Sequence, residues 1–340
     1  MIGGRVAPGF EPVLHAFAAL DEPGAAVCIH VEGRRVVDLW SGDGYTGDTL
    51  VHAFSVAKPL VAYCALRLVE RGALELDAPV ARYWPEFAQG GKEAATVRHV
   101  LAHQAGVIAL REAQPPGLLY DWSATVAALA AEPAWWEPGT RHGEHALFYG
   151  HLVGELVRRV DGRSLGTFLR EETGLDFHIG VRPGDLARIA PLTDPSGRWR
   201  TETLAQATEL MRLALDNPPG LLDVQTVNGD AWRAAEIPAV NGHGSARAIA
   251  AFYDALLDDP MLPEATAINA DGIDVLLEQQ MRWGLGVGLY EGGDFGMGGI
   301  GGSLGFANAE RSLAFAYVTT RMGGHDRAEA VERALLEVLG

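Results

Sequence analysis

The chain has 340 residues, enough for one large domain or two of ordinary size, and its contents of 48% hydrophobic and 21% charged residues are typical of a globular protein rather than a disordered one. Acidic residues outnumber basic ones by 44 to 27, and the resulting net charge of −17 repels a phosphate backbone, which argues against a nucleic-acid partner. The N-terminus has no basic stretch followed by an apolar core, and no apolar run is long enough to cross a bilayer, so we expect a cytoplasmic protein without a membrane partner.

The N-terminal region predicts a helix followed by a β-hairpin. Residues 11–20 have the composition of a helix, and the segments "AAVCIHV" and "RRVVDLW" after it are rich in β-branched residues. Glu32-Gly33 joins these segments and is typical of a tight hairpin turn. Cys28 and Cys64 both lie in apolar runs, and we expect them to be reduced core residues.

The stretch "HAFSVAKPLVAYCALRLVERGAL", residues 52–74, predicts a buried helix, because it is apolar on all sides. Pro59 is tolerated only in the first helical turn, where backbone N–H groups have no partner within the helix. Gly72 is a natural end for the helix. Ser55 is therefore expected at the N-terminus of this helix, with Lys58 one turn further along on the same side.

Ser55 and Lys58 are candidates for a nucleophile and its base. A serine hydroxyl becomes a good nucleophile only when a base removes its proton, and a lysine can do so when burial and a helix N-terminus lower its pKa. The backbone N–H of Ser55 would point towards a developing oxyanion. The alternative is that both are polar residues at the mouth of an ordinary buried helix. Only two of the 27 basic residues are lysines, so a lysine at the start of a buried helix favours catalysis.

The rest of the chain predicts an all-helical middle and a second set of strands. Pro/Gly clusters such as "EAQPPG", "AEPAWWEPG" and "LDNPPG" separate the helices, and one amphipathic helix ends at Gly162, with Tyr149 just before its first turn. Near the C-terminus, "SLAFAYVTT" predicts a strand and "RAEAVERALLEVLG" a helix that lies on a sheet. We predict an α+β fold, with a sheet domain built from residues 1–75 and 225–340 and an inserted all-helical domain at 76–224.

Two further motifs match known patterns without the context that those patterns need. "GGSLG" around Ser303 fits the Gly-x-Ser-x-Gly nucleophile elbow, which requires a helix after the serine, whereas a strand is predicted here. Gly296-x-Gly298-x-x-Gly301 fits a dinucleotide-binding fingerprint, but no βαβ unit surrounds it. Ser303 remains a minor candidate for the nucleophile, and no nucleotide cofactor is expected.

Several blocks of the sequence together resemble a known family. They include "DTLVHAFSVAKPLVAYCALRLVERGALELDAPVARYWPEF", "TVRHVLAHQAGV", "WWEPGTRHGEHALFYGHLVGELVRRVDGRSLGTFLREE" and "FGMGGIGGSLGFAN". In these blocks and their order the chain is similar to the serine β-lactamase and penicillin-binding-protein superfamily, above all to its esterase branch, the family VIII carboxylesterases. The resemblance implies a β-lactamase-like fold, in which helices flank an antiparallel sheet and an all-helical domain is inserted.

The resemblance also implies a catalytic tyrosine in a Tyr-x-Asn or related element of the helical domain. The matching position here is Tyr149, whose phenol beside the ammonium of Lys58 could share its proton with Ser55 or with the leaving group. The alternative for Tyr149 is an aromatic residue that packs in the core. His151 takes the place of the family's asparagine and is a candidate for lining the substrate pocket.

The third element that the resemblance implies is Lys-Thr-Gly in β-lactamases and often His-x-Gly in esterases. Here it reads Met297-Gly298-Gly299, three further candidates for the substrate pocket, and it is followed by Ile300, whose N–H is the expected second oxyanion donor. Because Met297 cannot bind the carboxylate of a β-lactam, this departure argues against β-lactamase and D,D-peptidase activity. Backbone donors still allow acyl transfer.

The sequence thus predicts a serine hydrolase in which Ser55, deprotonated through Lys58 and Tyr149, forms an acyl-enzyme. We expect a carboxylesterase for small-molecule esters. Two alternatives stay open, namely an acyltransferase that passes the acyl group to an alcohol or amine, and a non-catalytic binding protein that kept the fold. No metal and no organic cofactor are expected, and the oligomeric state is left open.

Overall fold

The computed structural model describes residues 2–340 and contains two β-sheets. The strands in this part of the chain are β1 (Ile2–Val6), β2 (Gly24–Val31), β3 (Arg34–Gly42), β4 (Val51–Phe54), β5 (Phe177–His178), β6 (Gly242–Gly244), β7 (Ala270–Ile273), β8 (Gln280–Trp283), β9 (Gly288–Leu289), β10 (Asp294–Gly298), β11 (Leu304–Asn308) and β12 (Leu313–Thr319). Nine of them form an antiparallel sheet in the order β1-β3-β2-β12-β11-β10-β9-β8-β7. The sheet therefore draws its strands from both ends of the chain, as the sequence predicts.

The helices occupy both faces of the large sheet and most of the middle of the chain. Within residues 2–340 they are α1 (Glu11–Ala19), α2 (Ala57–Glu70), α3 (Val97–Leu101), α4 (Trp122–Ala131), α5 (Tyr149–Asp161), α6 (Leu165–Thr173), α7 (Trp199–Ala205), α8 (Glu209–Asp216), α9 (Val224–Val227), α10 (Asp230–Ala234), α11 (Ala246–Leu257), α12 (Leu262–Thr266) and α13 (Asp326–Leu339). The predicted α+β, β-lactamase-like fold is confirmed.

The hairpin of β2 and β3 has the turn that its sequence predicts. Glu32 and Gly33 have φ values of +50° and +70°, the left-handed pair that matches the twist of two antiparallel strands. Strand β1, which pairs with the outer edge of β3, is not anticipated in the sequence analysis. Its segment "IGGRV" holds two glycines, which are depleted in strands, so its strand character comes from the pairing.

The terminal helices cover one face of the large sheet. Phe17 of α1 and Val331 and Leu335 of α13 are buried in a cluster with Phe315 of β12. Helix α11 covers the opposite face, where the ring of Tyr253 packs directly over Gly305 of β11. This second face also carries α2, so the start of α2 lies between the sheet and the helical region.

The second sheet is small, and it joins three distant parts of the chain. Its strands lie in the order β4-β6-β5, and the ring of Phe177 packs over Gly242 and Gly244. A Cβ atom at either glycine would lie within 2.4 Å of the ring, so glycine is required for this close approach. The sequence analysis does not anticipate this sheet, and its strand β4 carries the chain to Ser55.

The helical region follows α2 and extends to α10. The predicted domain boundary at 224/225 falls on the first residue of α9, and the division into two domains stays a prediction. Among residues 2–340, no helix is long and apolar enough to span a membrane.

Candidate active site

Ser55 lies in the turn between β4 and α2, with its side chain half-buried. Phe54, the last residue of β4, has a φ of +49°, an uncommon conformation for a bulky residue that turns the chain sharply. Val56 is the N-cap of α2, Pro59 lies in its first turn, and Gly72 follows its C-terminus with a φ of +70°. The predicted helix is confirmed, and Ser55 is positioned at its N-terminal end.

The ammonium group of Lys58 is fully buried and has three hydrogen-bond acceptors. Its Nζ lies 2.6 Å from Oγ of Ser55, 3.0 Å from Oε1 of Glu144 and 3.4 Å from the carbonyl oxygen of Ala239. These three acceptors match the three N–H donors of a lysine ammonium. The structure therefore brings Ser55 and Lys58 together as predicted, and it adds a carboxylate that the sequence analysis does not anticipate.

Two opposing effects act on the pKa of Lys58. Burial lowers the pKa below the ordinary value for lysine, because the charged form loses its hydration. The charge of Glu144 and its hydrogen bond act in the opposite direction. A buried cation is costly unless it is paired, so Glu144 is what makes a charged lysine tolerable at this position.

The loop that carries Glu144 is held by a buried carboxylate. Asp274, fully buried, accepts hydrogen bonds from the backbone N–H of Glu144 at 3.0 and 3.2 Å and from Nε1 of Trp283 at 3.0 Å. It also accepts from the N–H groups of Leu276 and Leu277. Asp274 thus fixes the backbone at Glu144 against the segment between β7 and β8.

Two neutral histidines complete this support. His145 donates from Nδ1 to the carbonyl of Gly143 and accepts at Nε2 from the N–H of Val107, while its own N–H donates to Nδ1 of His103. Burial lowers the pKa of His145 to about 4 and that of His103 well below its ordinary value. Both imidazoles are therefore uncharged at neutral pH, and they position Glu144 without adding a second cation.

The structure corrects our prediction that the phenol of Tyr149 lies beside Lys58. Tyr149 is the first residue of α5 and is fully buried, and its hydroxyl donates to the carbonyl oxygen of Leu101 at 3.2 Å. The same carbonyl accepts from the N–H of Gly286. Tyr149 thus connects α5 to the end of α3, and Gly286 connects the same carbonyl to the turn before β9. The place beside the lysine belongs to Glu144, because the first turn of α5 directs Tyr149 into the core.

The structure also places His151 away from the position that we predicted for it. His151 is fully buried, and its ring lies 4.9 Å from the ring of Trp122 in α4, measured between centroids. Burial lowers its pKa to about 3, so it is neutral. Within residues 2–340, no hydrogen bond joins it to Ser55 or Lys58. His151 therefore packs between helices α4 and α5 instead of lining a pocket at Ser55.

The segment from Met297 to Gly299 ends strand β10 close to Ser55. Met297 is buried in a cluster with Ala270 and Trp283. A Cβ atom at Gly299 would lie 2.3 Å from the carbonyl oxygen of Ala53, so the backbone of Gly299 is in close contact with β4 two residues before Ser55.

On its other side, the end of β10 meets the C-terminal helix. A Cβ atom at Gly298 would lie 2.6 Å from Nε2 of His325, the residue that precedes α13. The structure thus brings Gly299, which Ile300 follows directly, next to the end of β4 and so close to Ser55, whereas Gly298 faces His325 and Met297 packs against Ala270 and Trp283. The oxyanion role of the Ile300 N–H remains a prediction.

Ser303, the alternative nucleophile, is bound to the backbone of a neighbouring strand. It is buried, and its Oγ accepts a hydrogen bond from the N–H of Thr319 at 3.3 Å. Strand β11 begins at the next residue, so the helix that a nucleophile elbow requires is not present after Ser303.

Glu144 is the functional candidate that sequence reasoning missed. It lies in an irregular loop before α5, where no helical or strand period indicates which side chains point inward. The one available signal was its place in "HGEHALFYG", a single acidic residue among histidines and apolar residues. Acidic residues are almost never fully buried without a partner, but the sequence of this segment does not identify the partner of Glu144.

Comparison with known proteins identifies the family of the chain. The family model described as Beta-lactamase matches residues 13–339. Esterase/beta-lactamase LipL of Mycobacterium tuberculosis (strain ATCC 25618 / H37Rv) is 32% identical over 94% of this chain and 83% of its own length.

Two solved structures are similar over almost the whole chain. A family VIII carboxylesterase is 33% identical, with a TM-score of 0.91, over 99% of this chain and 100% of its own. A penicillin-binding-protein homolog from Caulobacter crescentus is also 33% identical, with a TM-score of 0.88, over 99% of this chain and 100% of its own.

Proposed function

Since this chain belongs to the Beta-lactamase family and is a serine hydrolase, we propose that it is a carboxylesterase that forms an acyl-enzyme on Ser55 and acts on small uncharged esters. The observation that carries the proposal is the 2.6 Å distance between Nζ of Lys58 and Oγ of Ser55, at the N-terminus of a buried helix. A hydroxyl at this distance from a buried amine can lose its proton as it attacks a carbonyl carbon.

The reaction proceeds by two acyl transfers. Oγ of Ser55 attacks the ester carbonyl while its proton passes to Lys58, and the backbone N–H groups of Ser55 and Ile300 stabilise the oxyanion. The alcohol leaves with a proton from Lys58, and water then attacks the acyl-enzyme by the same route in reverse. The close approach of Gly299 to Ala53 supports this role for Ile300, because it draws the end of β10 towards the turn that holds Ser55.

The charges and side chains around the site favour an uncharged substrate. Met297, where β-lactamases carry a lysine, offers an apolar thioether that cannot pair with a carboxylate. The charge of Glu144 offsets that of Lys58, so the pair offers no free cation to an anion, and the chain as a whole carries a net charge of −17. An anionic substrate would be repelled, whereas a neutral ester would not.

The experiment that tests the proposal is intact-protein mass spectrometry after mixing with p-nitrophenyl butyrate and, separately, with a phosphonate probe. We expect one adduct per chain on the wild type and on Ser303→Ala, and none on Ser55→Ala. An adduct that persists in Ser55→Ala and is lost in Ser303→Ala would show that Ser303 is the nucleophile. Absence of any adduct on the wild type would contradict the proposal.

The same reaction also distinguishes hydrolysis from acyl transfer. With p-nitrophenyl butyrate in the presence of butanol or a primary amine, an esterase releases mainly butyrate, because water deacylates the enzyme. If most of the butyryl group appears on the added acceptor, the chain is an acyltransferase. The size of the initial p-nitrophenol burst measures how slow deacylation by water is.

A further inference from the structure

The side chain of Lys58 lies between Ser55 and Glu144, so these three residues form a continuous hydrogen-bonded chain. We propose that Glu144 is the final acceptor of the Ser55 proton, so that the base of the reaction is the Lys58–Glu144 pair rather than the lysine alone. This inference rests on the proposed function, and it names a catalytic group that takes the place we had predicted for a tyrosine.

The geometry at Nζ is the first argument. With Ser55, Glu144 and Ala239 as its three acceptors, Lys58 is saturated as an ammonium. An ammonium has no lone pair, so it cannot take the Ser55 proton until it has lost one of its own. Oε1 of Glu144, 3.0 Å away, is the charged acceptor that can receive it.

The charges that face the pair are the second argument. His103 after α3 and His145 beside Glu144 are neutral through burial. The neighbouring tyrosine Tyr290 keeps its proton at neutral pH, because partial burial and the charge of Glu144 raise its pKa above the ordinary value for tyrosine. The contact from the segment before β6 is a carbonyl, that of Ala239. Glu144 is therefore the one carboxylate paired with Lys58 within residues 2–340.

The position of Glu144 is the third argument. Its backbone N–H is held by the buried Asp274, and its side chain is only 11% exposed, so the carboxylate stays on Lys58 instead of turning to solvent. A carboxylate that served only to solubilise the loop would not need this support.

The proton balance closes with these groups alone. Lys58 passes one proton to Glu144, and the lone pair that this leaves on Nζ takes the proton of Ser55 as Oγ bonds to the carbonyl carbon. At this stage the pair holds an ammonium and a carboxylic acid. When the C–O bond to the alcohol breaks, the alkoxide takes a proton from Lys58, and Lys58 regains one from Glu144. The pair then has its initial charges, and water repeats the cycle.

A competing role for Glu144 is that of a counter-ion that keeps Lys58 charged and thereby restrains it. The two roles predict opposite effects when the carboxylate is replaced by an amide. If Glu144 is a restraint, Glu144→Gln lowers the pKa of Lys58, frees its lone pair and accelerates acylation. If Glu144 is the proton acceptor, the same change removes the acceptor and slows acylation.

We would therefore measure the rate of acylation by p-nitrophenyl butyrate in the wild type, Glu144→Gln, Glu144→Asp and Glu155→Gln. Glu155 is a matched control, because it is also a buried glutamate paired with basic side chains, those of Arg158 and Arg159 in α5. We expect a loss of about 10²- to 10⁴-fold in Glu144→Gln, the range found for general-base catalysis. We expect a smaller loss in Glu144→Asp, which keeps the carboxylate, and no loss in Glu155→Gln.

A second measurement does not depend on a stable variant. Since the chain has two lysines, ¹⁵N-lysine labelling gives two Nζ signals, with Lys92 as an internal reference. Lys92 is also buried, but its Nζ donates to the backbone carbonyl of Ala130. In the wild type, the Nζ signal of Lys58 should change over the same pH range in which acylation is lost on acidification, because the proposed base includes the carboxylate that Lys58 contacts.

Each outcome decides between the two roles. A Glu144→Gln rate within threefold of the wild type, or above it, would overturn the inference and leave the proposed function intact. So would a Lys58 signal that stays constant across the acid limb of the rate. If the wild type itself formed no adduct, the proposed function and the inference would fall together. Loss of acylation in Glu144→Gln with a coincident acid limb would establish the pair as the base.

Discussion

The carboxylate of Asp274 holds the backbone N–H of Glu144 with both oxygens, at 3.0 and 3.2 Å, across 130 residues of sequence. Within residues 2–340, three backbone N–H groups and the indole N–H of Trp283 bind the carboxylate of Asp274, and none of these partners is a cation. A buried carboxylate is stable when several N–H donors satisfy it. The segment between β7 and β8 thus determines where the carboxylate beside Lys58 is placed.

Replacing Asp274 by Asn should therefore affect both stability and acylation. The amide group of Asn presents N–H donors to backbone N–H groups, so at least one buried donor loses its acceptor, and we expect a loss of about 2 kcal/mol in the free energy of unfolding. Acylation should also slow, because the loop no longer positions Glu144. Urea unfolding and burst kinetics measure the two effects. Asp271→Asn is the control, since Asp271 is exposed on β7, and there a change within about 0.5 kcal/mol is expected.

Breaking the buried pair should cost more stability than removing it. Lys58→Met leaves Glu144 without its cation, and we expect a loss of about 3 kcal/mol in the free energy of unfolding. The double variant Lys58→Met with Glu144→Gln should recover most of this loss, because neither charge then remains. Urea unfolding of the two single variants and the double variant gives the coupling free energy. Additive losses would mean that the two side chains do not stabilise each other.

Tyr149→Phe tests whether the tyrosine that the sequence analysis predicts to be catalytic takes part in acylation. In the structure, Glu144 and not Tyr149 is paired with Lys58. The change removes the hydroxyl that donates to Leu101, and we expect a loss of about 1 kcal/mol in the free energy of unfolding. Acylation should stay within about threefold of the wild type, since general acid–base catalysis is worth far more than this factor. A loss of 10²-fold or more in the acylation rate of a folded variant would show that Tyr149 takes part in catalysis.

Stability should fall when the pH is lowered below about 6.5. Burial lowers the pKa of six histidines among residues 2–340, His99 and five that are almost completely buried. The five are His52, His103, His145, His151 and His243. The unfolded chain binds protons at the ordinary histidine pKa, whereas the folded chain does not. The contribution of these histidines to the free energy of unfolding is therefore complete above pH 6.5 and is lost on acidification towards about pH 4. Each such histidine contributes a slope of at most about 1.4 kcal/mol per pH unit.

Urea unfolding at several pH values between 7.5 and 5 measures this slope. His151→Phe should make the slope shallower by the share of one histidine without changing acylation, because His151 packs against Trp122 and not at Ser55. His15→Phe, at an exposed position of α1, is the control and should leave the slope unchanged. A slope that His151→Phe does not alter would mean that the imidazole is protonated in the folded state.

Much of the fold follows from short-range patterns. The hairpin at Glu32-Gly33, the helix that begins near Ser55, and the C-terminal strand and helix all agree with their predictions, because turn residues, proline and the period of apolar side chains act within a few residues. Strand β1 and the sheet of β4, β5 and β6 could not be predicted in this way. Their segments are short or rich in glycine, and only their partners make them strands.

The candidate site likewise has one contact that short-range patterns predict and one that they do not. The sequence alone determined that Ser55 and Lys58 meet, because Lys58 follows Ser55 by three positions at the start of one helix, and a helical turn brings such positions together. Only the tertiary structure decided that Glu144 pairs with Lys58 while the hydroxyl of Tyr149 donates to Leu101, since these contacts depend on how a loop before α5 and the segment at Asp274 pack against α2. Spacing along the chain determines contacts within a helical turn, whereas contacts between distant segments are determined by the packing of the whole core.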